Sequence, residues 1–551
     1  MQTATGLSRN RLLALLALFA VVWFCNLGYR HLIRPDEGRY AEIAREMVVT
    51  GDWLTPRLNG FKYFEKPALQ YWATALSFEA FGQNEWAARL WPGLTGFLGV
   101  LLVFFTGRRL FDPPSASYAA TVAGSSALYV FIGHGLTLDM STTFFLSACV
   151  FAIALAQRDA ADAAERRRWM LVAWAAAALA VLSKGLIGVV LPAGAMGLYI
   201  LVERDWRRIA RLNIFSGGLL CLAITAPWFV AVSRANPEFF RFFFIQEHFE
   251  RFLTKEHGRY QPWWYFVPVL LAGILPWIVS LFPALARAWK RTPAANFQPQ
   301  RFLLAWCIVV FVFFSLSDSK LGSYILPIFP ALALLIGNTL ATAGRRVAVA
   351  QALVTAVLGI ALAAASTQAM RFAQPDLPPE FLARYVPWIA AAGAALLAGA
   401  IASVWLALRG RALGAAVALA FGGLACVQIG TSGHEQLSPV YSAYHIVQKI
   451  RSQLDPAAPF YVVDTFDQTL PFYLGRTVTM DSYKDELAQA IGWEPQKFLP
   501  DVAAFARAWS ADRKAFAMFN PRGFDAFRRA FPDVPMEEIA RDPRRVIVRK
   551  P

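Results

Sequence analysis

The sequence predicts a polytopic α-helical membrane protein that carries an α/β domain outside the bilayer at its C-terminus. Three observations support this. Of 551 residues, 57% are apolar and only 16% are charged, where a water-soluble chain carries about a quarter charged residues. Apolar runs of about 20 residues, each long enough to cross a bilayer, recur until about position 430 and then stop. The connectors between these runs alternate between strongly basic and nearly uncharged. A mean hydropathy of +0.42 excludes an ordinary cytosolic enzyme. The net charge of +16 lies largely between apolar runs, where it sets topology, so no nucleic-acid partner is expected.

About thirteen runs qualify as spans. They lie near 12–29, 86–106, 117–133, 140–157, 169–183, 185–202, 214–233, 265–285, 302–317, 322–342, 347–367, 386–408 and 413–430. One set of connectors holds Arg108 and Arg109, Arg166 to Arg168, Arg204 to Arg211, Arg287 to Arg291, Arg345 and Arg346, and Arg409 and Arg411. The positive-inside rule places these and the N-terminus in the cytoplasm. An odd span count then exports residues 431–551. Arg9 and Arg11 before the first run imitate a secretory signal. No small-residue cleavage pattern precedes Arg30, and a dozen further spans follow, so a retained helix is expected. Cys25, Cys149, Cys221, Cys307 and Cys426 all fall in spans, so no disulfides are expected.

Two exported connectors, about 30–85 and 234–264, are too long for turns and too aromatic for disorder. All six histidines also lie on the exported side, which directs attention to that face. The tail alternates short β-patterned runs (460–463, 477–480, 515–518, 546–548) with helical patterns near 441–453, 501–509 and 522–531. It contains no glycine-rich phosphate loop, metal-spaced cluster or nucleophile elbow. Its expected role is to cap the membrane domain or hold an acceptor. The domains are therefore 1–430 and 431–551.

Within the first loop, Tyr40, Ile43, Ala44, Met47 and Val48 recur at helical spacing after Pro35, predicting a short amphipathic helix at the membrane surface that ends at Thr50-Gly51. Asp36 stands at the N-cap position. It reads either as a cap or as an ionised carboxylate of an active site. Lys66 precedes Pro67 at the start of another helix and makes an anion site or a snorkelling anchor. Asp139 lies between two apolar runs, where a carboxylate is costly unless paired, capping or functional. Arg251, in the phenylalanine-rich second loop, and Lys320 add cations where the bilayer ends. Together they suggest a phosphate site at the outer leaflet, although headgroup anchoring explains any one of them.

The run Asp36-Glu37, Tyr40-Ala-Glu-Ile43, Gly51-Asp52-Trp53, Tyr63-Phe-Glu-Lys-Pro67, Tyr71-Trp72 and Arg89-Leu90 resembles the first-loop signature of the protein O-mannosyltransferase-like superfamily. It resembles most the bacterial 4-amino-4-deoxy-L-arabinose transferases that modify lipid A. Thr137-Leu138-Asp139, Ser183-Lys184-Gly185, Glu247 to Leu253 and Lys320 to Pro327 extend the likeness over most of 1–330. From about 340 onward only the architecture matches. The resemblance implies the C-type glycosyltransferase fold, an undecaprenyl-phosphate-linked sugar donor and a lipid A phosphate acceptor at the periplasmic face of the bacterial inner membrane. By family position, Lys66, Arg251 and Lys320 would bind the donor phosphate. Asp36, Asp139 and Glu37 would be catalytic, and Tyr40, Tyr63, Glu65, Tyr324 and His248 would line the substrate pocket. No cofactor is required. A divalent metal on Glu65 and His248 is conceivable, but no two histidines have i,i+4 spacing and no cysteine joins them. The alternatives are an O-mannosyltransferase with a Ser/Thr acceptor and a lipid-linked sugar transporter, the latter disfavoured because no inverted repeat is visible. Membrane lipids are the other expected partners, and the sequence sets no oligomeric state.

Overall fold

The apolar runs become helices in the computed structural model, which describes residues 9–250, 260–293 and 295–551, the side chains of 9–12 and 247–250 excepted. Among the described residues, eight helices are long and apolar enough to cross a membrane. Two bent pairs raise this to as many as ten: Pro113–Ala123 with Ala127–Gly133, at 62°, and Phe266–Gly273 with Ile278–Trp289, at 111°. Leu13–Phe24 and Ile187–Glu203 are shorter apolar helices. The first bend follows Ser125 and Ser126, whose hydroxyls donate to Thr121 and Val122 carbonyls at 2.7 Å and loosen the helix there. The chain is a multi-pass membrane protein. The run expected at 169–183 is the C-terminal part of a longer helix, Ala163–Lys184, whose first turns carry Arg166 to Arg168. Gly185, at φ +91°, ends that helix and separates it from Ile187–Glu203.

The tail folds on a six-stranded mixed sheet. Two short strands of the first loop, β1 (Arg57–Leu58) and β2 (Phe61–Lys62), precede it in the chain. The sheet itself comprises β3 (Phe460–Val463), β4 (Thr479–Asp481), β5 (Phe498–Leu499), β6 (Phe516–Phe519), β7 (Glu537–Arg541) and β8 (Val546–Arg549), in the order β5-β4-β3-β6-β8-β7. β3 pairs parallel with β4 and β6, whereas β8 runs antiparallel to β6 and β7. Central strands β3 and β6 are buried on both faces, as their unbroken apolar runs require. The two sheet edges, β5 and β7, have no β-patterned run of their own. β5 has two residues and β7 reads Glu-Glu-Ile-Ala-Arg.

The helix Asp36–Thr50 is not the surface-lying amphipathic helix expected. It is buried from Glu37 to Met47, including Arg39, Glu42, Arg45 and Glu46. The tail covers the face that solvent would otherwise wet. Tyr40, Ile43 and Met47 share one apolar core with Ile446, Leu470 and Met480. A Cβ at Gly38 would stand 2.7 Å from the Gln468 and Thr469 backbone, so a glycine permits that approach. Asn59 works like a strand edge: its amide donates to Val478 O at 2.9 Å and accepts from Val478 N at 2.7 Å. Glu494 accepts from Lys62 N at 3.0 Å and pairs with Arg57. The tail thus caps the first loop through a common hydrophobic core as well as polar contacts.

Candidate active site

Asp36 and Glu37 open the helix Asp36–Thr50, yet they face different partners. The N-cap is Pro35, without a side-chain cap, so Asp36 does not cap the helix. It accepts from Arg39 Nη1 at 3.0 Å and remains 43% exposed. Arg39 in turn forms an ion pair with Glu486 of the tail and packs over Tyr40 and Tyr63, 5.8 and 6.0 Å from the ring centres. Burial, outweighing Arg39, lifts the Glu486 carboxyl to about 7. Glu37 is buried and ionised. Burial alone would raise its pKa, but the Arg89 guanidinium and the Leu136 N–H hold it down to about 2. It grips Arg89 at 2.7 and 2.8 Å, and its oxygens also accept from Leu136 N and Ile33 N. Arg89 spends its other N–H groups on the carbonyls of Leu27, Arg30 and His31. Every oxygen of Glu37 is therefore engaged in tying the first loop to a membrane-spanning helix.

Asp139 begins the helix Asp139–Ala156. It does not cap that helix either: its carboxylate pairs with Lys184 at the end of Ala163–Lys184. The Lys184 ammonium also lies 4.7 Å from the ring centre of Tyr324. The two aspartate segments are joined by the Glu37–Leu136 bond and by Ser141, which donates to Gln70 at 3.1 Å just beyond Lys66. The structure thus gathers Asp36, Tyr40, Tyr63 and Glu65 around Arg39, with Lys66 next to Glu65 in the chain, and it gathers Asp139 and Tyr324 around Lys184. Lys66 lies three residues before the helix Leu69–Phe81 and donates to Glu65 O at 2.6 Å. Lys320 is buried and donates to the carbonyls of Gln261 and Ser317. The Arg39 Nε and the Tyr63 and Tyr71 hydroxyls are buried without a hydrogen-bond partner among the described residues. Arg251 and the His248 side chain lie outside the described residues.

The expected metal pair, Glu65 with His248, includes that side chain and so falls outside the described residues. Among the described residues, His31, Glu435 and His445 bring three possible ligand atoms within 4.8 Å of one another. These atoms are already engaged in hydrogen bonds: Glu435 Oε1 accepts from His31 Nδ1 at 2.6 Å and from Ser438 Oγ at 2.8 Å, and Ser438 Oγ meets His445 Nε2 at 2.7 Å.

Sequence reasoning missed Glu486, which carries no motif and lies 447 positions from Arg39 in a tail read as a cap. It also noted Lys184 only within a motif. A lysine closing one span, set against an aspartate opening another on the same side, was a usable signal, since each would be costly near the bilayer alone.

A family model described as "dolichyl-phosphate-mannose-protein mannosyltransferase" matches residues 9–243, and one described as "aminoarabinose transferase C-terminal domain" matches 446–550. The undecaprenyl phosphate-α-4-amino-4-deoxy-L-arabinose arabinosyl transferases of Erwinia tasmaniensis and Pseudomonas aeruginosa are 33% and 35% identical over 354 and 343 residues, 63% and 61% of this chain. Those alignments span 63% and 60% of the relatives' own length, under two thirds. The crystal structure of ArnT from Cupriavidus metallidurans bound to undecaprenyl phosphate superposes with a TM-score of 0.93 at 37% identity, covering 98% of both chains. That agreement extends from the loop-one cluster through the spans to the C-terminal sheet: the chain has the C-type glycosyltransferase fold and belongs to the aminoarabinose transferase family.

Proposed function

We propose that the protein is a glycosyltransferase that moves 4-amino-4-deoxy-L-arabinose from undecaprenyl phosphate to a phosphate of lipid A, at the periplasmic face of the bacterial inner membrane. The observation that carries the proposal is the set of buried polar atoms without partners among the described residues, Arg39 Nε and the Tyr63 and Tyr71 hydroxyls, together with two ion-paired aspartates. Unmet buried donors cost about 1–3 kcal/mol each, and a polar sugar is the kind of ligand that would satisfy them. The family relationship supports the donor. The basic connectors support an N-terminus in the cytoplasm and a tail in the periplasm.

The acceptor phosphate is already anionic, so it attacks the anomeric carbon without a general base. The bond from that carbon to the carrier phosphate oxygen breaks, and its electron pair leaves with undecaprenyl phosphate. Lys66 and Arg251 meet the charge that gathers there. Arg39 and Lys184 offset Asp36 and Asp139, which would otherwise repel an incoming phosphate. Asp36, partly exposed, orients the amine of the sugar. Glu37 holds the loop, and Lys320, committed to two carbonyls, anchors its connector. No metal is needed in this scheme.

Transfer of labelled sugar from the purified undecaprenyl-phosphate donor tests the reading. Product on lipid A, and none on dephosphorylated lipid A, is expected. Equal transfer to dephosphorylated lipid A or to a Ser/Thr peptide would overturn it in favour of O-mannosyltransferase-like chemistry. Movement of the donor without transfer would indicate a transporter.

A further inference from the structure

Between the C-terminal sheet, the connector that precedes the helix Pro379–Leu408, and the residue that precedes Pro35, a cavity of about 550 Å³ is lined by Arg34, Arg522, Arg544 and Arg545 together with Asp376 and Asp467. Two of these arginines are committed. Arg545 grips Asp467 at 2.8 and 2.6 Å and reaches Asp542 at 2.8 Å. Arg544 pairs with Asp376, but its Nε is buried without a hydrogen-bond partner among the described residues. The other two have no side-chain hydrogen bond or ion pair with any described residue. Arg34 is half-buried and senses Asp467 only through space. Arg522 is exposed, in the first turn of the helix Pro521–Ala530. Burial lowers the Arg34 pKa and, against the pull of Asp467, repulsion from Arg544 and Arg545 lowers it further. Cations gathered around an open cavity at this cost are stabilised by an anion between them. Planar guanidinium groups match the oxygens of a phosphate two at a time. The volume lies within the roughly 300–1,000 Å³ of ordinary ligand pockets.

We propose that this cavity is a second phosphate subsite, taking a phosphate monoester of the acceptor other than the one that attacks the sugar. The proposal rests on the acceptor named above, a disaccharide lipid that carries a phosphate at each end. Arg34 stands two residues before Asp36, so their Cα atoms are within about 7 Å, and one headgroup reaches both the cavity and the reaction site. Filling the subsite sets which phosphate is presented to the donor.

The test uses the full-length protein in nanodiscs, with bisphosphorylated lipid A, monophosphoryl lipid A and inorganic phosphate as probes. Arg522 is exposed, so its substitution spares the fold. The native protein is expected to bind bisphosphorylated lipid A at least tenfold tighter than the monophosphoryl form. Arg522→Glu should abolish that preference and Arg522→Lys should restore part of it. In transfer, Arg522→Glu should raise KM for the bisphosphorylated acceptor with kcat little changed. Millimolar inorganic phosphate should erase the preference in the native protein. Equal binding of the two lipids by the native protein, or a preference that survives Arg522→Glu, overturns the subsite. Arg522-dependent binding of inorganic phosphate with no preference between the lipids overturns the headgroup assignment in favour of free phosphate. Absence of any transfer to lipid A, with the binding preference intact, refutes the proposed reaction and leaves the subsite standing.

Discussion

Glu37→Gln separates a residue that holds the fold from one that takes part in the chemistry. The carboxylate receives Arg89 at 2.7 and 2.8 Å and the N–H groups of Leu136 and Ile33 at 3.0 and 3.2 Å. Glutamine keeps one acceptor oxygen and turns an amide N–H₂ toward donors. Arg89 is fully buried, so the substitution leaves a guanidinium without its counter-charge. Removing one partner of such a pair costs about 3–5 kcal/mol. The expected result is a clear loss of stability, read as a lowered midpoint of unfolding by tryptophan fluorescence in nanodiscs. In the fraction that remains folded, kcat should stay within roughly tenfold of the parent, well short of the loss of a true acid or base. Adding Arg89→Met removes the stranded charge and should recover part of the stability. The pH dependence follows from the lowered carboxyl. Its stabilisation is complete above the unfolded value near 4.5 and drains away as pH falls toward about 2. The native protein should therefore lose more stability over that interval than the glutamine variant. A Glu37→Gln protein as stable as the parent, with kcat lower by about 10²–10⁴-fold, is the signature of a catalytic carboxylate and would refute the reasoning.

Glu46 offers the opposite sign. Burial first, then the charge of Glu42, lifts its carboxyl to about 8, so the folded protein keeps a proton that the unfolded chain gives up above about 4.5. Stability should fall as pH rises from about 4.5 to 8, at up to about 1.4 kcal/mol per pH unit. Glu46→Gln should match the parent at pH 4.5 and exceed it at pH 8; identical pH profiles would exclude a proton held there. Lys66→Ala should lower turnover at least 10²-fold in the purified transfer assay, with Lys66→Arg recovering only part, because a guanidinium cannot reproduce a point ammonium; full activity in the alanine variant would remove Lys66 from the phosphate site. Glu486→Ala leaves Arg39 with Asp36 alone and should weaken acceptor or donor use about tenfold without unfolding the chain; unchanged kcat and KM would reduce the Arg39–Glu486 pair to a structural tie.

By itself the sequence determined where the helices of the apolar region form. The apolar run is a local, one-dimensional property, and each of the thirteen runs falls on a helical segment because the backbone must satisfy its own hydrogen bonds in lipid. It determined the interior of the tail sheet for a similar reason: β3, β6 and β8 are apolar runs wherever they are placed. The first-loop motif marked the stretch that supplies most of the candidate site. What only the tertiary structure decided is the partner of each charge. Asp36 and Asp139 both stand where a cap belongs, and each turns to a cation instead, one three residues away and the other 45. Glu37 meets Arg89 across 52 positions, and Arg39 meets Glu486 in another domain. The helix Asp36–Thr50 has the pattern of a surface helix and is buried because the tail closes over it. A two-residue strand such as β5 has no period to detect and exists only because β4 lies beside it. Local pattern sets backbone hydrogen bonding and hydrophobic burial, whereas the state and role of a charge depend on what lies within a few ångströms of it, which long-range packing alone supplies.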